Sequence, residues 1–323
     1  MKLASKSVLF IIFGIMFSCS IEKRVTSRNI IDNHVHIMSP ELISLWKNMG
    51  IPFSRPDYYY SNIDSILKFN KAEKVSLISM AYVYSSPEFG AKSDKVKSQM
   101  EAENNYLASV KNKYPKRIKA FFSVDPLQEN MLEEIIRCHK ILKLDGIKLH
   151  HNASQVYLTE NEHLHKIQQI FKYASDNRLP ILLHFDNSHP KFGKNDIKIF
   201  ANSVLNNLDY VNLQIAHFGT SGGFNSKTKE ILDTFIEVFK TNNKVANQNI
   251  KFDISAVCLD KDSEGVNKLT DSEFKELANY CRKIGFEKIV FGTDYPLYNS
   301  DEYLEILMNK LQLSEAEINL LLK

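Results

Sequence analysis

The sequence predicts an α/β protein, a single-domain (β/α)8 TIM-like barrel, and three observations lead to that prediction. Short apolar runs rich in β-branched residues alternate along the chain with stretches of helical period. Such alternation implies parallel strands joined by right-handed crossovers, and the chain contains eight of these units. Its 323 residues suffice for one barrel, which takes about 250 residues. A doubly wound open sheet is the alternative, but no G-x-G-x-x-G or P-loop motif follows any run.

Each predicted strand is a short run in which Val, Ile, Leu and Phe dominate. The eight strands are residues 30–37, 75–81, 118–124, 146–150, 180–185, 211–217, 251–257 and 288–292. The helices predicted between them include residues 96–113, 127–142, 160–177, 196–207, 226–240 and 271–284. The helical period is clearest in the third of these, whose apolar face is formed by Ile167, Ile170, Phe171 and Ala174.

A segment inserted after the first strand, residues 38–74, is longer than one crossover requires. It contains one arginine and several aromatic residues, among them Trp46, Phe53, Arg55, Tyr58, Tyr59 and Tyr60. One interpretation is local packing of a loop and an extra helix. The other is a cap over the substrate, because loops that follow barrel strands lie on the active-site face.

The N-terminus has the pattern of an export signal. Lys2 and Lys6 precede an apolar run over residues 8–17, which is shorter than the roughly 20 residues of a membrane span and suits a signal-peptide core. Ser18 and Cys19 follow at once, as in a bacterial lipoprotein signal. We therefore predict a signal peptide at 1–18, lipidation of Cys19, a tether at 19–28 and the barrel at 29–323. The alternatives are an uncleaved N-terminal anchor and a plain signal peptide with an incidental cysteine.

These features also predict where the protein is located in the cell and which partners it binds. The predicted protein is exported to the bacterial cell envelope and anchored by lipid in the membrane, with the barrel outside the cytoplasm. The 41 basic and 38 acidic residues nearly cancel, and no basic stripe with interleaved aromatic residues is present, so nucleic acid is not an expected partner. A small-molecule substrate is expected, and a homodimer is compatible with this type of barrel.

The strongest chemical signal is the His34–Val35–His36 motif at the end of the first strand. Side chains at i and i+2 of a strand share one face, so both imidazoles project to the same side. Two converging neutral imidazoles suit a borderline divalent metal. The motif alone is weak evidence, but its position at a strand end of an eight-unit barrel strengthens it.

Three further polar residues occupy matching positions. His184, His217 and Asp294 each end a predicted apolar run. Barrel enzymes place their chemistry at the carboxyl ends of the strands. A single histidine there would more often be structural, but four histidines and one aspartate at the ends of strands 1, 5, 6 and 8 predict an active site.

This constellation resembles the amidohydrolase superfamily, specifically the amidohydrolase-related family that also includes aminocarboxymuconate-semialdehyde decarboxylase, related decarboxylases and lactone hydrolases. The resemblance covers nearly the whole barrel. It includes less specific sequence motifs, such as the Gly–Ile–Lys–Leu–His run at 146–150 and the Phe–Gly–Thr–Asp–Tyr–Pro run at 291–296. The usual Asn–Ala sequence after the family's closing helix is missing here.

The resemblance implies a metal-dependent enzyme. By it, one divalent metal, zinc, is bound by four residues: His34, His36, His184 and Asp294. Asp294 and His217 are the implied catalytic residues, the first accepting a proton from the metal-bound water and the second polarising a carbonyl or shuttling a proton. The implied reaction is hydrolysis of an amide, ester or lactone by metal-activated water. The alternatives are a non-oxidative decarboxylase of a carboxylic acid and a catalytically inactive surface binding lipoprotein.

Lys148 near the end of the fourth strand leaves three interpretations open. In binuclear relatives a carbamylated lysine at this strand bridges two metals, which would imply a second metal here. The lysine can instead contact a substrate carboxylate, or its stem can pack inside the barrel. His150 and Arg55 are further candidates for substrate binding. Asp32 is a candidate to support the metal site, whereas Asp253 and Ser255 are predicted to pack and hydrogen-bond inside the barrel.

Overall fold

Eight parallel strands form one sheet in the order β1 to β8, as the computed structural model shows for residues 30–87, 95–263 and 265–322. The strands are Ile31–Ile37, Lys74–Ser79, Ile118–Ser123, Gly146–His150, Ile181–His184, Asn212–Ile215, Asn249–Asp253 and Ile289–Val290. Backbone hydrogen bonds from Asn33 to Phe291 (N to O, 3.0 Å) and from His36 to Tyr295 (3.1 Å) join β1 to the chain after β8. The predicted (β/α)8 barrel is confirmed.

Twelve helices, α1 to α12, occur in the described ranges. They are Pro40–Asn48, Tyr58–Ser61, Ile63–Asn70, Val96–Lys113, Met131–Ile136, Asn161–Asn177, Lys194–Ile199, Ser226–Thr241, Asn243–Ala246, Asp271–Ile284, Ser300–Asn309 and Glu315–Leu321. Two predicted helices are more irregular than their sequence period suggested, because α5 and α7 each continue into a π-helical turn, Arg137–Ile141 and Phe200–Val204. None of the helices described here is long and apolar enough to cross a membrane.

The helices pack on the strands because each presents one apolar stripe to the sheet. In α6, the predicted face of Ile167, Ile170 and Phe171 is buried, and Thr270 caps α10 by accepting the Glu273 N–H. The three helices α1 to α3 form the insertion after β1. Helix α3 packs into the main core, while α1 belongs to a separate apolar cluster above the strand ends.

Several strands end earlier than predicted, and two of them, β6 and β8, end before a candidate site residue. Strand β6 ends at Ile215, so His217 lies in a 3-10 turn with φ of 51°, and β8 ends at Val290, so Asp294 lies in a loop with φ of 55°. These left-handed conformations cost about 1–3 kcal/mol for residues other than glycine. The alternation of apolar residues cannot reveal them. The predictions for residues 1–29, including the signal peptide and Cys19, concern residues outside those described.

Candidate active site

Three of the predicted metal ligands meet above the end of β1. The Nε2 atoms of His34 and His36 lie 3.2 Å apart, and Asp294 Oδ1 lies 3.3 Å from His34 Nε2 and 3.0 Å from His36 Nε2. Close approach of the loop carrying Asp294 requires Gly292, because a Cβ there would stand 2.9 Å from His34 Cβ. We call His34, His36 and Asp294 the donor group.

The chemistry of the donor group fits a divalent cation. His34 Nδ1 lies 3.0 Å from Asp253 Oδ2 and donates to it, so in the neutral ring Nε2 carries only a lone pair. Burial lowers the pKa of His34 to about 4, which keeps that ring neutral near pH 7. The lone pair then faces an Asp294 oxygen, and two acceptors in contact need a cation between them. Donors bound at about 2.0–2.1 Å to one tetrahedral zinc lie about 3.3–3.4 Å apart, close to the spacing found.

Asp253, on β7, organises this side of the site. It is fully buried and, besides His34, accepts from Gln214 Nε2 at 2.8 Å, from the His217 backbone N–H at 3.0 Å and from Ser255 Oγ at 2.5 Å. Burial alone would raise its pKa, but the His34 imidazole and these donors hold the pKa well below its usual range. One carboxylate therefore fixes the His34 ring and the turn that carries His217.

His217 stands beside the donor group without belonging to it. Its ring centroid lies 4.8 Å from that of His34, and its Nδ1 lies 2.9 Å from the Ser255 backbone oxygen. A carbonyl can only accept, so Nδ1 carries the proton of the neutral ring. Nε2 is then the nitrogen that remains for the cavity, which His217 lines.

His184, the fourth predicted ligand, is placed differently. Its Nε2 lies 3.2 Å from Ser221 Oγ, which itself donates to Asp186 Oδ2 at 3.1 Å. Its ring stacks on His150 at a centroid distance of 3.9 Å. Among the described residues, His184 has no nitrogen close enough to the other ligand atoms to join the donor group. Its role as a ligand stays a prediction.

Asp32 supports the site by accepting hydrogen bonds from backbone N–H groups and from two side chains, neither of them an imidazole. It accepts from the N–H of His34 at 3.1 Å, the N–H of Thr293 at 3.0 Å, Thr293 Oγ1 at 2.5 Å and Asn70 Nδ2 at 2.6 Å. A register shift in β1 between Asp32 and Val35 accompanies this arrangement. Asp32 therefore ties β1 to the loop that carries Asp294.

Two residues of β4, Lys148 and His150, line the cavity above the barrel. Lys148 is 1% exposed, and burial lowers the pKa of its ammonium to about 8 although Asp253 and Asp294 partly oppose this. His150 lies between two rings, 3.9 Å from His184 and 4.5 Å from Tyr82 between centroids. Its pKa is lowered well below the usual range by burial and by the nearby Lys148 charge.

The insertion after β1 forms one wall of this cavity, which has a volume of about 930 Å³. Trp46, Phe53 and Tyr60 line it and contact one another, with ring centroids 5.8 Å and 4.8 Å apart. Arg55 also lines it and lies 5.2 Å over the Tyr59 ring. The segment thus packs locally and also covers the site, so the two interpretations of its role are compatible.

Sequence reasoning missed three contributors: Asp253, Ser221 and Tyr82. Asp253 ends β7, so the strand-end rule that identified His184 also applied to it. Ser221 follows β6 in a glycine-containing loop, and Tyr82 follows β2 in a 3-10 turn. Neither of these two carries a sequence signal beyond its place after a barrel strand.

The fold and the donor group define a barrel enzyme with a site for a divalent cation at its strand ends. A family model described as amidohydrolase matches residues 31–323, so the chain belongs to the amidohydrolase family, as its resemblance to that family implied. No curated protein sequence matches the chain.

Several solved structures share the fold. A dihydroxybenzoic acid decarboxylase from Polaromonas with bound manganese and the inhibitor 2-nitroresorcinol has 16% identity and a TM-score of 0.60, covering 91% of this chain and 94% of its own. A 2,6-dihydroxybenzoate decarboxylase complexed with 2,6-dihydroxybenzoate has 17% identity and a TM-score of 0.62, with coverages of 92% and 97%. A 5-carboxyvanillate decarboxylase from Sphingomonas paucimobilis has 12% identity and a TM-score of 0.60, with the same coverages.

Proposed function

We propose that this protein is a metal-dependent, non-oxidative decarboxylase of a carboxylic acid. The observation that carries the proposal is the composition of one cavity, which joins Asp294 and His36, the buried Lys148 ammonium and an aromatic wall. Such a cavity fits a flat acid better than it fits an extended amide or ester. The similar solved structures named above support the same choice, so we place decarboxylation ahead of the hydrolysis that the sequence analysis put first.

A divalent metal, zinc or manganese, would be held by His34, His36 and Asp294, with His184 as the fourth candidate ligand. When bound, it would polarise a substrate oxygen as a Lewis acid. The protein supplies the surroundings: Asp253 fixes the His34 tautomer, and Asp32 fixes the strand. The aromatic wall limits access of water to the substrate.

The reaction exchanges a carboxylate for a proton, so that R–COO⁻ and H⁺ give R–H and CO₂. His217 is the residue that would hold this proton. Its Nδ1 is engaged by the Ser255 carbonyl, and Nε2 can carry the proton that the substrate carbon receives. The His217 imidazole contributes to lowering the pKa of Asp294, which burial would otherwise raise.

The test is a comparison of two reaction classes on the metal-loaded protein. 2,6-Dihydroxybenzoate and 5-carboxyvanillate are assayed for CO₂ release, and aryl esters and lactones for acid release. We expect CO₂ release that falls about 100-fold or more in His217→Asn. His165→Asn, which changes an exposed histidine on α6, is the matched control and should retain activity. Acid release from esters or lactones without CO₂ release would overturn the proposal in favour of hydrolysis, and no turnover in either class would favour the binding lipoprotein.

We also propose export and lipid anchoring, which rest on the sequence of residues 1–19 alone. Expressed in a bacterium, the full chain should partition with membranes and carry a lipid on Cys19, whereas Cys19→Ala should be released as a soluble, lipid-free protein. Mass spectrometry of the mature N-terminus distinguishes this from an uncleaved anchor. A homodimer is also proposed, because barrels of this type often pair. Light scattering of the released protein tests it.

A further inference from the structure

We propose that Lys148 and His150 form a recess on β4 that binds the carboxylate of the substrate. The proposal deepens the proposed function, because it names the group of the substrate that this part of the cavity recognises. Residues 148 and 150 are separated by two positions on one strand, so their side chains share a face, and both line the cavity.

Lys148 is a buried cation with no close acceptor among the residues that the structure describes. Its ammonium makes no hydrogen bond to any residue in the described ranges, although the residue is 1% exposed. Asp253 and Asp294 act on it only through their charges. Burying an ammonium without a partner is costly, and an anion entering the cavity would offset that cost.

His150 supplies a second donor with a fixed direction. Its Nδ1 accepts the backbone N–H of Ala153 at 3.2 Å, so the neutral ring carries its proton on Nε2. The ring plane is held between His184 and Tyr82, whose planes are tilted by 11° and 34° from it. Within the part of the chain that the structure describes, Nε2 has no hydrogen-bond partner.

The two groups together select a carboxylate over a neutral amide. Lys148 provides a charge and His150 provides a neutral N–H, and a carboxylate oxygen can accept from both. An amide of the same shape presents only one acceptor oxygen, and its NH₂ group faces donors. Carboxylate binding here requires an unmodified Lys148, since a carbamate would replace the cation with an anion that repels the substrate.

The experiment measures binding without turnover. Benzoate and its neutral isostere benzamide are titrated calorimetrically into the metal-loaded protein, into the protein stripped by a chelator, and into two variants. Lys148→Met keeps most of the apolar stem and removes the ammonium, and His150→Phe keeps an aromatic ring for stacking on His184 and Tyr82. His165→Phe on the exposed side of α6 is the control. Thermal melts establish that each variant is folded.

We expect the wild type to prefer benzoate over benzamide, and the stripped protein to keep that preference. Lys148→Met should weaken benzoate binding about 10- to 100-fold and His150→Phe about 10-fold, with little change for benzamide. Equal binding of the two probes, benzoate binding that disappears with the metal, or an added CO₂ mass on Lys148 would overturn the inference. If the recess binds benzoate as expected but no acid is decarboxylated, only the proposed function fails. A variant that does not fold leaves the other variant and the stripped protein to decide.

Discussion

Asp253 and Glu103 are both buried carboxylates, but one lies below the donor group and the other below the cap. Asp253 accepts four hydrogen bonds, from β1, from β6, from the turn after β6 and from the chain after β7. Glu103, on α4, accepts the Ser39 N–H at 2.8 Å through Oε1, while its buried Oε2 has no partner among the described atoms. Burial raises the pKa of Glu103 to about 7, whereas Asp253 stays ionised.

The difference shows that burial alone does not set the protonation of a carboxylate. The number of donors does not set it alone either: Asp32 accepts four hydrogen bonds from N–H and hydroxyl groups, and burial still raises its pKa to about 6, whereas Asp253 also has the His34 imidazole beside it. The same comparison distinguishes the strand ends, which form the floor of the cavity, from the insertion that covers it. At the strand ends, both oxygens of Asp253 accept hydrogen bonds, which favours a preorganised floor. The cap begins at Ser39, whose side chain caps α1 and whose N–H donates to Glu103 on α4. Two exposed or half-buried contacts add to this link, from Tyr106 to the Ser61 carbonyl and from Lys113 to Asp64.

The largest effect should follow from Asp253→Asn, which keeps the size of the side chain and removes its charge. The amide cannot hold the His34 proton on Nδ1 as the carboxylate does, so His34 loses its fixed tautomer. We expect zinc or manganese affinity to fall about 10- to 100-fold, measured by competition with a fluorescent chelator. Unchanged affinity in a folded variant would contradict the role assigned to Asp253.

Asp32→Asn provides the matched comparison, because Asp32 is equally buried and adjacent to the same histidine. Its four donors are two backbone N–H groups, the Thr293 hydroxyl and the Asn70 amide, and the NH₂ group of an asparagine at 32 would face some of these donors. We expect a loss of about 1–3 kcal/mol in the free energy of unfolding, measured with urea. Metal affinity of the folded variant should change less than in Asp253→Asn, and equal losses of affinity would erase the distinction between the two carboxylates.

The sequence predicted the barrel and the donor group because both depend on local pattern. The i, i+2 rule places His34 and His36 on one face, and a polar residue after an apolar run locates Asp294. The orientation of His184 depends on Ser221 from another loop, and such a contact between distant segments has no periodic signature. Asp253 had the right position but was assigned to packing, since nothing in one strand indicates that its carboxylate meets His34 on β1.

The smallest effect should come from Glu103→Gln, which replaces the poorly satisfied carboxylate by a neutral group. In the wild type the pKa of Glu103 is raised from 4.5 to about 7, with Glu41 adding to the effect of burial. The folded state therefore binds the proton more tightly than the unfolded chain, and this stabilisation is lost as the pH rises toward 7. Between about pH 5.5 and about pH 6.5 the wild type should lose about 1 kcal/mol more than Glu103→Gln. Urea unfolding of both proteins at the two pH values measures this difference. Parallel pH profiles would mean that the Glu103 carboxyl does not take up a proton in the folded state over this range.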